Sequence, residues 1–132
     1  MSTTALALTG YILWHLLLLA AIIGLRLVCS VRSGKPANSY RRDGADVSPF
    51  SQRLCGAHAN SAESFPFLGG LPLLALATGH TALTDPAALW ILGLRLGQSA
   101  VHLYAATERA VKVRAALFLP QVLIALYWGL RV

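Results

Sequence analysis

The stretch ALALTGYILWHLLLLAAIIGLRLV, residues 5–28, decides the architecture. It has no charged residue before Arg26, and between Gly10 and Leu25 its only strongly polar side chain is His15. About 20 apolar residues in an α-helix, each rising 1.5 Å, cross the ~30 Å hydrocarbon core of a bilayer. A helix of a soluble bundle shows a wide polar stripe instead. Three more apolar runs follow, at about 61–77, 87–106 and 115–130. The second and third runs reach spanning length only by including Glu63 and Arg95, and the fourth holds only Gln121 as a strongly polar residue. Charged residues make up 12% of the chain, against about 25% in an ordinary soluble domain. That is too few to wet a whole surface. The expected fold is therefore an all-α integral membrane protein, a single domain of residues 1–132. It is a four-transmembrane-helix bundle with helices at about 5–28, 51–78, 87–107 and 112–131. The first segment reads as a mature helix rather than a cleaved leader, because no Lys or Arg precedes it.

The net charge is +6, and its placement says more than its size. Arg26, Arg32, Lys35, Arg41, Arg42 and Arg53 surround the first connection; Arg109, Lys112 and Arg114 surround the third. The second connection, 79–86, and the N-terminal tail have no Lys or Arg. Basic short loops stay in the cytoplasm, so both termini are expected outside it. These charges hug helix ends without interleaved aromatic residues, which argues against nucleic-acid binding. Cys29 and Cys55 fall on the cytoplasmic side, where no structural disulfide is expected. The four histidines show no ligand spacing with them, so no metal site is expected. The first connection, 30–49, contains Gly34, Pro36, Asn38, Gly44 and Pro49 and reads as irregular. It is longer than a plain connector, which hints at a role over a site. Pro66 should kink the second helix, and Asp85-Pro86 should open the third.

Helices two to four each carry one polar stripe. Arg53, Gly56, Asn60, Glu63 and Phe67 are spaced 3, 4, 3 and 4 and share a face. Arg95, Gln98, Ser99 and His102 do the same on the third helix, and Arg114, Phe118 and Gln121 on the fourth. Polar groups at membrane depth cost several kcal/mol when unpaired. They persist when they pair with one another or hold a ligand. Glu63 with Arg95 as a plain interhelical ion pair is the structural reading. The count favours a ligand: Arg53, Arg95 and Arg114 face a single acid, Glu63. Guanidinium groups bind carboxylates bidentately, so an anionic ligand would complete the cluster. His58 lies off the main face, and a structural role there is as plausible as a ligand role.

The run Arg53-Leu-Cys-Gly-Ala-His58-Ala-Asn60-Ser-Ala-Glu63-Ser-Phe-Pro66-Phe67 resembles the signature of the MAPEG family, the membrane-associated proteins in eicosanoid and glutathione metabolism. Arg95, Gln98, Ser99 and His102 look like its third-helix stripe, and Arg114 through Phe118 like its Arg-x-x-x-Tyr. The resemblance implies a homotrimer of four-helix bundles with glutathione as co-substrate, bound between subunits near the cytoplasmic side. It assigns glutathione binding to Arg53, Asn60 and Glu63, and to Arg95, Gln98 and His102. Arg114 is the implied catalytic residue, stabilising the thiolate. It also implies an Arg at the end of helix one, either Arg32 or Arg26. The implied activity is that of a transferase or peroxidase acting on hydrophobic electrophiles or lipid hydroperoxides from the bilayer. The alternative is a non-catalytic lipid- or anion-binding member. Ala59 and Gly56 stand where eicosanoid-type members carry Arg, and His102 and Phe118 where they carry Tyr. The chain thus looks more like the compact bacterial members, which would place it in an inner membrane.

Overall fold

The computed structural model describes residues 1–132 and contains helices only. These are α1 (Thr3–Ser33), α2 (Pro49–Leu68), α3 (Gly70–Thr78), α4 (Thr81–Tyr104) and α5 (Glu108–Gly129). They form an up-and-down bundle in which α4 is central and packs against all the others, while α1 and α5 do not touch.

The helix bounds differ most from the expected ones in three places, each for a local reason. Helix α1 continues past residue 28 to Ser33 and stops at Gly34, whose left-handed φ of 69° lets its N–H reach back to the Ser30 carbonyl. The second apolar run is two helices rather than one. Pro66 and Pro72 each lack an N–H, and between them the chain breaks at Gly69. The Phe65 ring lies over Gly69, where a Cβ would come within 2.5 Å of it. Helix α4 begins at Thr81, before Asp85-Pro86, and holds Pro86 inside it. Asp85 does not cap its own helix. Its Oδ1 accepts from the Thr4 N–H (2.8 Å) and the Thr4 hydroxyl (2.6 Å) at the start of α1.

That carboxylate satisfies a donor in the first turn of α1, where the helix dipole also favours a negative charge. Asp85→Ala should destabilise the bundle by about 1–3 kcal/mol. Thermal unfolding in detergent would read this as a clearly lowered midpoint; an unchanged midpoint would show that the tie carries no load.

Helices α1 and α5 are each long and apolar enough to cross a membrane. Only 11% and 17% of their most apolar windows are buried within the chain. A soluble core helix would be mostly covered. Here Leu13, Leu16, Leu17, Ile23 and Leu27 of α1, and Leu119, Leu123 and Leu126 of α5, lie on the outside. A surface so apolar needs lipid around it.

Inside, two apolar clusters sandwich a polar layer. Tyr11, Leu68, Ile91, Ala125 and Trp128 fill the end away from the basic loops. Leu18, Ile22, Leu54, Cys55 and Ala57 fill the basic end. Ser61, Ser64, Arg95, Gln98, Ser99 and Gln121 are buried between them.

Candidate functional site

At the polar layer Arg95, Ser64, Asn60, Gln98 and Gln121 form one hydrogen-bonded network spanning α2, α4 and α5. Arg95 is 0% exposed. Its Nη1 donates to Ser64 Oγ at 2.7 Å and its Nη2 donates to Asn60 Oδ1. The Phe118 ring lies 5.8 Å from the guanidinium carbon. Gln98 Nε2 donates to the same Asn60 oxygen at 3.2 Å, and Gln121 Nε2 donates to Gln98 Oε1 at 3.0 Å. No carboxylate takes part. The ion pair of Glu63 with Arg95, the structural reading of these residues, is not formed. The three salt bridges are Lys35–Asp46, Arg41–Asp43 and Lys112–Glu108, all near the basic end.

Above this layer, at the basic end, a cleft of about 650 Å³ opens between the first connection, α2 and α4. Its wall includes Arg42, Asp43, Gln52, Arg53, Cys55, Gly56 and His102. Arg53 is steadied by donating from Nε to the Leu103 carbonyl at 2.8 Å and by lying over the Phe50 ring. At Gly56 the His102 ring of α4 packs directly against α2. A Cβ there would sit 2.8 Å from His102 Nε2. The two departures at Gly56 and His102 therefore fit each other: the missing side chain on α2 is the space that the imidazole on α4 occupies.

The first connection is a folded strap rather than a slack loop. Tyr40 donates to the Arg26 carbonyl at 2.9 Å and bonds the Ser30 hydroxyl at 2.6 Å. Arg26 donates to the Arg41 carbonyl at 3.0 Å. The Arg41 N–H, chiefly, and Lys35 beside it hold the Asp46 carboxyl below the usual carboxylate range. Gly44, at φ 72°, packs on α2; a Cβ there would lie 2.7 Å from both Cys55 Sγ and Ser51 Oγ. Only glycine suits both the backbone angle and the space. This packing brings Arg42 and Asp43 to the cleft.

The residues singled out in the sequence thus separate into groups. Arg53 and His102 line the cleft. Arg95 and Gln98 are buried beneath it rather than on its wall, and bear on it through Asn60. Asn60 is half-buried. Glu63 is exposed on the outward side of α2, with no partner in the chain. Arg114 is half-buried on α5, and its Nε has no partner. Of the two arginines at the end of helix one, Arg26 is engaged in the strap, and Arg32 is exposed in the last turn without a hydrogen bond. Cys29 and Cys55 are free thiols. Sequence reasoning missed Arg42, Asp43 and Cys55 as cleft residues and Ser64 as a ligand of Arg95. The strap glycine Gly44 was the available signal for the first two.

Off this site, His15 and His58 stack at 4.4 Å between α1 and α2, with His15 Nδ1 3.3 Å from Ser61 Oγ. That fits a packing role for His58.

A family model describing the MAPEG family matches residues 4–132, nearly the whole chain. The chain belongs to the MAPEG family. It is a membrane protein, as its two uncovered apolar helices require. No curated protein and no solved structure matches the chain significantly. Within the MAPEG frame the helix-two signature reads from Arg53 to Phe67. Its two most chemically distinct members point different ways: Asn60 inward to Arg95, Glu63 outward.

Proposed function

We propose that this MAPEG protein is a membrane-bound, glutathione-dependent transferase or peroxidase acting on hydrophobic electrophiles or lipid hydroperoxides. The observation that carries the reading is the cleft, walled by Arg42, Arg53 and His102, beside the outward face of α2 that bears Glu63. Glutathione offers two carboxylates for the arginines, an ammonium for Glu63 and a thiol for the Arg114 side. About 650 Å³ suits a ligand of that size. Arg114 favours the thiolate over the thiol by its charge. The thiolate sulfur then attacks an electrophilic carbon and expels the leaving group with its electron pair. With a hydroperoxide it attacks the outer oxygen; the O–O bond breaks and the alkoxide takes up a proton. The resulting sulfenic acid condenses with a second glutathione to give a disulfide and water.

A lone carboxylate on a face turned toward lipid is costly. This supports a homotrimer in which a neighbouring copy covers Glu63 and the open side of the cleft. The bundle would cross the bilayer four times, with the basic strap and the α4–α5 turn in the cytoplasm and both termini outside. In a bacterium this would be the inner membrane.

The second reading, a non-catalytic protein binding lipid or another anion, is favoured by one feature. Phe118 provides no hydroxyl beside Arg95 and Arg114 does not line the cleft. Calorimetry on the detergent-purified protein separates the two. The proposal expects heat on adding millimolar glutathione, and turnover of an aryl halide or a lipid hydroperoxide. Silence toward glutathione together with tight lipid binding would replace it with the second reading.

A further inference from the structure

We infer that Gln121 and Gln98 are positioning residues that force Asn60 to present its amide as a hydrogen-bond donor to the ligand. The inference rests on the site proposed above but not on glutathione being its occupant.

The buried amide chain is anchored at both ends by groups whose direction cannot change. At one end, Gln121 Nε2 donates to the main-chain carbonyl of Leu117 at 2.8 Å, and a carbonyl only accepts. This fixes the Gln121 amide. The second hydrogen on Nε2 serves Gln98 Oε1 at 3.0 Å. Gln98 must therefore turn its NH2 to the far side, where it meets Asn60 Oδ1 at 3.2 Å. At the other end stands Arg95, which only donates, and its Nη2 meets the same Asn60 oxygen. Both ends demand one arrangement. A flipped amide anywhere in the chain would set oxygen against oxygen or hydrogen against hydrogen in a buried layer.

The outcome falls on Asn60. Both lone pairs of its oxygen are taken by Arg95 and Gln98. Its Nδ2 has no partner in the protein and is not among the buried polar atoms left unpaired. Asn60 thus faces the ligand as a donor only. Glu63, one turn further along α2, is an acceptor only when ionised. The pair selects a ligand that brings a carboxylate or carbonyl oxygen to Asn60 and a donor such as an ammonium to Glu63. Gln121 is 0% exposed, on a different helix from Asn60, and acts on the ligand only through this relay.

Side-chain amide exchange tests it on the full-length protein in detergent. The chain has two asparagines, 38 and 60, and three glutamines, 52, 98 and 121, so nitrogen-15 labelling gives five assignable NH2 pairs. The Gln98 and Gln121 pairs should exchange slowly with water, and the Asn60 pair quickly. In Gln121→Leu the Gln98 pair should lose protection. The KM for glutathione should rise about tenfold, roughly the loss of one well-oriented hydrogen bond, with kcat little changed. An Asn60 pair as protected as those of the glutamines would overturn the relay, as would Gln121→Leu with both Gln98 protection and KM intact. If the wild-type protein binds no glutathione, the exchange pattern alone decides the relay, and only the functional proposal falls.

Discussion

Arg114→Ala should lower the rate of glutathione conjugation at neutral pH by about 10- to 30-fold while leaving the protein folded. A free thiol has a pKa near 8.5, so only a few per cent is thiolate at pH 7. A guanidinium within a few ångströms lowers such a pKa by about 1–3 units. Arg114, although it stands off the cleft wall, is uncommitted to any other partner. It sits two turns into α5, half-buried, without a carboxylate to neutralise it, and with its Nε unengaged. The pH profile identifies the cause. The wild-type rate should level off below the ordinary thiol range. The variant's rate should keep rising with pH until the unassisted thiol ionises, so the defect shrinks above about pH 8.5. A variant with unchanged activity, or a defect of constant size at every pH, would remove Arg114 from thiolate chemistry.

Arg95→Met should separate stability from function. Arg95 is a fully buried cation whose partners are Asn60, Ser64 and the Phe118 ring, none of them charged. A charge at membrane depth costs about 2.5–3.5 kcal/mol even on the lenient insertion scale. Replacing buried charges by apolar groups of similar volume is often neutral or stabilising. Met leaves few groups stranded here. Asn60 Oδ1 keeps the Gln98 donor, and Ser64 Oγ still donates to the Asn60 carbonyl at 2.5 Å. The thermal midpoint should hold or rise, while glutathione binding weakens about tenfold or more, because Asn60 loses its firmer anchor. A large fall in the midpoint would show instead that Arg95 is there to hold the bundle together.

The apolar runs were legible because period and length are local properties. Residues 5–28 announced α1, and the stop of the third run near residue 106 placed the α4–α5 turn. The break at Gly69 was not, because a proline marks a weak point in the ladder but its neighbours decide where the chain gives way. The stripes grouped these polar residues by face but did not give their directions. Asn60 and Glu63 lie three residues apart, which places them about 60° apart around the helix. That is enough to turn one toward Arg95 and the other away from the bundle. Periodicity tells which residues share a face and not which neighbour that face meets. The strap was least legible. Tyr40, Gly44 and Asp46 act through contacts with α1, α2 and the loop itself, and no spacing rule connects them.

The central claim is that the cleft and the outward face of α2 together hold glutathione. A structure of the protein reconstituted in lipid with millimolar glutathione tests it most directly. The account predicts glutathione density reaching from Asn60 and Glu63 toward Arg114, with the thiol on the Arg114 side and the outward face of α2 covered by a neighbouring copy. An empty cleft under those conditions, with Glu63 facing lipid uncovered, would contradict it.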